Sequence, residues 1–167
     1  MFFASTIYYM QVLVPVRYIP RNLSNKDKVK VKKELRKSRE LYPKGIYHTR
    51  APVASFQSKP SRYVTLAKKK YGLEKIAPSR KMAVATGCST KVLRKIINKG
   101  EGAYYSSGSR PNQTAQSWGI ARLASAVVGG KAAVIDYGIL VAGCKPGSPA
   151  LAAARRAKLT RIPKTKL

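Results

Sequence analysis

Few residues of this chain could do covalent or acid–base chemistry: two cysteines, one histidine and six carboxylates among 167 residues. Cys88 and Cys144 stand far apart, and His48 has no cysteine near it at ligand spacing. A tetrahedral zinc site needs about four such ligands, so no metal and no cofactor is expected. Two free, partly buried thiols are the expected state, with a single disulfide between them as the alternative. General acid–base catalysis needs a carboxylate or imidazole tuned by its neighbours, and the six acids are scattered. Asp136 lies in an apolar run, where a satisfied carboxylate paired with Lys131 or Arg122 is expected rather than a catalyst. Nothing near His48 in sequence would orient it for a Ser–His–Asp arrangement. The chain is expected to be no enzyme and to take no small-molecule substrate.

What remains is charge. Lys and Arg number 34 against six acids, a net charge of +28. Residues 100–150 carry only +2 of this and the other 116 residues carry +26, so an apolar middle wears a basic coat. Such a chain repels itself unless a polyanion lies beside it. The candidate polyanion-binding residues are Lys68, Lys69, Lys70, Lys91, Arg94, Lys95, Arg155 and Arg156, with a further run from Lys26 to Lys33. Each phosphate they neutralise would steepen the salt dependence of binding. Tyr42, Tyr47, Tyr63 and Tyr71 interleave with them and could stack on bases or pack on protein.

The elements that position these residues read as mainly α. Ser24 with Asp27 is a weak capping box that opens a helix to about Glu40. Its basic residues point in all directions, so its stability is expected to depend on a partner. Residues 41–59, with Pro43, Gly45 and Pro52, predict an irregular linker or strapping arm. Further helices are predicted from Ser61 to Gly72, from Pro78-Ser79 to Gly87, from Ser89 or Thr90 to Gly100, and from Thr114 to Gly129-Gly130. Residues 131–141 predict a helix or a buried strand, since an unbroken apolar run has no period to read. Ser148-Pro149 opens a last helix to about Lys158.

The expected fold is a small helical domain of about five to six short helices with an extended N-terminal arm and a basic C-terminal tail. Its parts are the arm at 1–23, a basic helix and linker at 24–60, a helical core at 61–158 and the tail at 159–167. Met1–Val14 is apolar but has no basic leader or small-residue cleavage site, so a secretory signal is not expected. Ile7–Val16 predicts an extended segment lying on a partner. Residues 120–142 are interrupted by Arg122, Lys131 and Asp136, so no membrane span is expected.

Two stretches carry more specific expectations. In Met82–Ile97, Ala83, Gly87, Leu93 and Ile96 stand at the offsets of a helix-turn-helix. Lys91, Arg94 and Lys95 would then face a major groove, the alternative being an ordinary helical hairpin. Residues 100–114 (GEGAYYSSGSRPNQT) predict a turn-rich loop around Tyr104, Tyr105, Ser106, Arg110 and Asn112. Backbone N–H groups there could hold a phosphate or carboxylate. The Gly-Lys-Ser/Thr of a P-loop is missing. A structural loop that satisfies its own backbone and a partner-contact loop with Arg110 at its centre are the two readings.

The block AYYSSGSRPNQT followed by SWGIARLAS, within Lys99–Ile139, resembles an uncharacterised domain family of large double-stranded DNA viruses of algae, the phycodnaviruses and their relatives. The resemblance extends upstream over Tyr18–Asn98, including Asn22-Leu23-Ser24 and Lys70-Tyr71-Gly72. It supplies no activity and no catalytic residues. It implies a viral setting, in which a basic non-enzymatic chain would be a minor capsid or cement protein in the virion. Its partners would be the major and other minor capsid proteins on the inner face of the shell, near nucleic acid or an anionic inner membrane surface. Before packaging it would reside inside the infected host cell. A DNA-binding or DNA-condensing protein using the helix pair around Gly87 is the alternative.

Overall fold

In the computed structural model, which describes residues 13–160, side-chain caps and glycine stops set most of the helix ends. Eight α-helices and no strand occur among the described residues. They are α1 (Asn25–Leu41), α2 (Arg62–Tyr71), α3 (Arg80–Thr86), α4 (Thr90–Ser106), α5 (Ala115–Val127), α6 (Lys131–Ile135), α7 (Tyr137–Gly143) and α8 (Pro149–Thr160). Ser24, Ser79, Ser89 and Thr114 each accept a backbone N–H of the following turn, and Thr114 forms a reciprocal capping box with Ser117. Gly72 and Gly87 close α2 and α3 in the left-handed conformation that favours glycine. No described helix is long and apolar enough to cross a membrane.

α4 and α5 form the central pair, with α2, α6 and α8 around α5 and with α3 and α7 against α4. The main core between them is built from Met82, Leu93, Ile96, Leu123, Val127, Leu140 and Ala154, all fully buried. Each large aliphatic side chain placed there contributes about 1.5–3 kcal/mol relative to exposure. A second, smaller cluster joins Tyr18, Leu23, Val31, Leu35 and Val53, with Trp118 packed against it. Tyr18 and Trp118 meet edge to face at 6.0 Å.

Four expectations are corrected. α4 does not stop at Gly100 but runs on to Ser106, so the loop before α5 is only residues 107–114 and Tyr104, Tyr105 and Ser106 are helical. Residues 131–143 are neither one helix nor a strand: they form α6 and α7, joined at the buried Asp136. α1 is not basic in all directions but has a buried stripe, in which Val31 and Leu35 are covered by the chain itself. Cys88 and Cys144 are not free thiols but a disulfide. The two residues face each other between the backbone bonds Ser89 N–H to Gly143 O (2.9 Å) and Lys145 N–H to Gly87 O (2.8 Å), which bring the α3–α4 and α7–α8 turns together. The expected extended segment at Ile7–Val16 lies mostly outside the described residues, and Val16–Tyr18 forms a single 3-10 turn. The tail beyond Thr160 lies outside them too.

Candidate functional site

Three of the six carboxylates, Asp27, Glu34 and Asp136, are engaged within the fold, while Glu40 and Glu74 are exposed. Asp136, fully buried, accepts from Arg122 Nε (2.7 Å), Arg122 Nη2 (2.9 Å) and Lys99 Nζ (2.9 Å). Burial pushes its carboxyl up, but the Arg122 and Lys99 hydrogen bonds outweigh burial and hold it below its ordinary range. Arg122, not Lys131, is the expected partner found there, with Lys99 added. This triad ties α4 and α5 to the α6–α7 joint.

Asp27 and Glu34, two turns apart on α1, hold the segment 46–58 that crosses it as a strap. Asp27 Oδ2 accepts from the Ser55 N–H (2.9 Å) and hydroxyl (2.6 Å), which hold its pKa down. Glu34 Oε2 meets His48 Nε2 at 2.8 Å and accepts from Ala51 N–H at 3.3 Å. Burial pushes Glu34 up, but these hydrogen bonds leave it lowered. His48 therefore has a carboxylate partner that sequence spacing did not reveal. The pair joins the strap to α1.

Arg50 anchors the middle of the strap. Its guanidinium lies 3.7 Å from the centre of the Tyr104 ring and donates to the Tyr104 carbonyl (2.8 Å), Ser38 Oγ (3.1 Å) and Ser109 Oγ (2.7 Å). Burial depresses its pKa. Asn112 pairs with the strap as a neighbouring strand would: Oδ1 accepts from Val53 N–H (2.8 Å), and Nδ2 donates to the Val53 and Phe56 carbonyls (2.9 and 2.7 Å). The expected contact loop is thereby divided. Tyr104 is fully buried and Asn112 is engaged within the chain, so neither is available to a partner. Ser106 and Arg110 are exposed. Tyr105 is half-exposed and joins Tyr42 (6.3 Å, stacked) and Tyr47 (5.1 Å) in a surface aromatic group. Tyr71 instead turns inward, its hydroxyl donating to the Val127 carbonyl, and burial pushes its pKa up to about 12.

The cations are left over. Among the described residues the only Lys or Arg side chains in ion pairs with carboxylates are Lys99 and Arg122. Lys68, Lys69, Lys70, Arg155 and Arg156 are all exposed, on α2 and α8. Partial burial and, after it, the charge of Arg156 depress Lys70. Lys91, Arg94 and Lys95 are exposed on α4, opposite its buried stripe of Val92, Leu93, Ile96 and Ile97. Sequence spacing placed all eight outward. It did not bring Lys70 to Arg156, which requires α2 and α8 both to flank α5.

The enclosed space beneath the strap, lined by Glu34, Arg50 and Ser109, measures about 20 Å³, room for little more than a water molecule. Among the described residues no group of three His, Cys, Asp or Glu could hold a metal ion.

A protein-family model described as a family of unknown function (DUF5824) matches residues 15–138 of the chain. No curated protein and no solved structure matches it. The matched stretch contains the strap, the Asp136 triad and the α2 and α4 cations, and it ends before Cys144 and α8.

Proposed function

The chain belongs to DUF5824, a family of unknown function, and from that premise we propose that it is a non-enzymatic structural protein that binds a polyanion. In the viral setting that the AYYSSGSRPNQT and SWGIARLAS blocks imply, it is a minor capsid protein. It binds other capsid proteins on the inner surface of the shell and turns its cations toward DNA or an anionic membrane. The observation that carries this reading is the exposure of Lys68, Lys69, Lys70, Arg155 and Arg156 on α2 and α8, none of them in an ion pair with a carboxylate among the described residues. Such a surface is relieved by an external anion. The strap supports it further, since a segment fixed at Glu34, Tyr104 and Asn112 makes a rigid support rather than a lid.

A second reading is favoured by the exposure of Lys91, Arg94 and Lys95 beside the Gly87 turn: a DNA-binding protein that presents α4 to a groove. One experiment separates the two. Particles disrupted after nuclease treatment and high-salt washing retain the protein with the shell in the structural reading and release it in the DNA-binding one. Purified protein with Lys68, Lys69, Lys70, Arg155 and Arg156 changed to Gln binds duplex DNA more weakly, with a flatter dependence on salt. Unchanged affinity and slope would remove the polyanion role altogether.

A further inference from the structure

A groove of about 410 Å³ opens between α1 and the chain entering it. Val14 and Ile19 lie at its base over the buried Leu35, Leu13 stands at its edge, and its rim is Lys32, Arg36 and Arg39. The cations stand at i, i+4 and i+7 on α1, a row about 10 Å long at 1.5 Å per residue. Arg39 is steadied by donating Nε and Nη2 to the Ser107 carbonyl (3.3 and 2.7 Å), while Lys32 and Arg36 are exposed. No carboxylate lines the groove, and Leu13 at its edge is 90% exposed.

We propose that this groove docks an acidic amphipathic helix of another protein, with apolar side chains on Leu13, Val14 and Ile19 and carboxylates along the Lys32–Arg36–Arg39 rim. The shape of the charge selects this occupant. One lipid or fatty-acid headgroup meets a compact cluster of cations, whereas a row at helical spacing matches acids repeated every three or four residues on a facing helix. Residues 1–12 of the chain contain no acid to meet the rim, and a second copy brings a net charge of +28 against it. A nucleic-acid strand would meet the row but leave the aliphatic floor uncovered, since no aromatic ring lines it for bases to stack on. The groove shares no residue with the α2–α8 cations, so this inference and the polyanion reading stand or fall separately.

The test titrates the full chain with a synthetic helix of Leu, Ala and Glu, its Glu residues at i, i+4 and i+7 beside a Leu stripe. The fluorescence of Trp118, the single tryptophan, which packs on the cluster under the groove, reports binding. The Glu peptide is expected to bind, and its Gln counterpart to bind at least about tenfold more weakly. The double variant Lys32→Glu/Arg36→Glu should weaken the Glu peptide by at least about tenfold. Lys75→Glu/Lys81→Glu, of the same net charge, should leave it within about twofold. Leu13→Asp, at an exposed position that does not threaten folding, should weaken it as well. Equal losses in the two double variants would overturn the proposal by reducing the effect to overall charge. Binding of phosphatidylglycerol vesicles that depends on Lys32 and Arg36, with no binding of the Glu peptide, would overturn it in favour of a lipid.

Discussion

Gly100 of α4 packs directly on Gly119 of α5: a Cβ added to Gly100 would stand 2.7 Å from the Gly119 Cα, with the Arg122 side chain at 3.2 Å behind it. Backbone meets backbone there, so nothing can swing aside. The central helix pair of the fold owes its closeness to this contact.

Gly100→Ala is therefore expected to destabilise the protein by about 1–3 kcal/mol through overpacking, although alanine is the better helix former. Thermal unfolding followed by circular dichroism would measure it. An alanine variant that melts at or above the wild-type temperature would show that α4 and α5 can slide apart without cost.

Arg50→Met should keep the bulk of the strap anchor and remove its three hydrogen bonds, costing about 2–3 kcal/mol. Arg50→Lys should recover part of the attraction to the Tyr104 ring but not the fork to Ser38 and Ser109. Limited proteolysis reads the consequence directly. The strap at 46–58 should be cut in Arg50→Met while α4 and α5 remain protected.

Asp136 sets a limit on acid stability. Its folded pKa lies below the ordinary 3.8, so it contributes stability that is fully present above about pH 4 and is lost as pH falls through the folded value. Denaturant titrations between about pH 6 and pH 2 should show this fall in the wild type and a shallower one in Asp136→Asn. At neutral pH the Asn variant should be weaker by about 3 kcal/mol, since Arg122 is left half-buried without its counter-charge. Parallel pH profiles for the two proteins would contradict this assignment.

Reduction of Cys88–Cys144 reopens a loop of 56 residues, which the chain-entropy relation values at roughly 4 kcal/mol. A melting temperature lower by about 10 °C in reductant, reproduced by Cys88→Ser/Cys144→Ser, is the expected result. Identical melting with and without reductant would mean that the bond contributes nothing.

Helix ends that depend on a few neighbouring residues were legible in the sequence. Ser24, Ser79, Thr114 and Pro149 start helices, and Gly72 and Gly87 end them, because each acts on its own turn. Gly100 misled because its role is interhelical. A glycine that stops a helix and one that admits a second helix look alike in one dimension. The roles of Tyr104 and Asn112 were hidden for a similar reason. They looked like adornments of a loop, but their hydrogen-bonding partners Arg50 and Val53 lie more than fifty positions upstream. The disulfide joins turns whose meeting depends on how α7 and α8 return to the α3–α4 corner, and no local signal announces that path. The outward placement of the cations was readable because it needs only the apolar stripe of each helix, while the proximity of Lys70 to Arg156 needed the packing of three.

The long reach of the strap has a consequence for the order in which the protein is made. Val53 finds Asn112 only 59 residues later, and Ser38 finds the Tyr105 carbonyl only 67 residues later. At roughly 5–20 residues per second, α1 leaves the ribosome several seconds before the surfaces that secure it exist. During that interval it is a bare cationic segment beside ribosomal RNA, and the first third of the chain can reach its native position only after the middle has been synthesised.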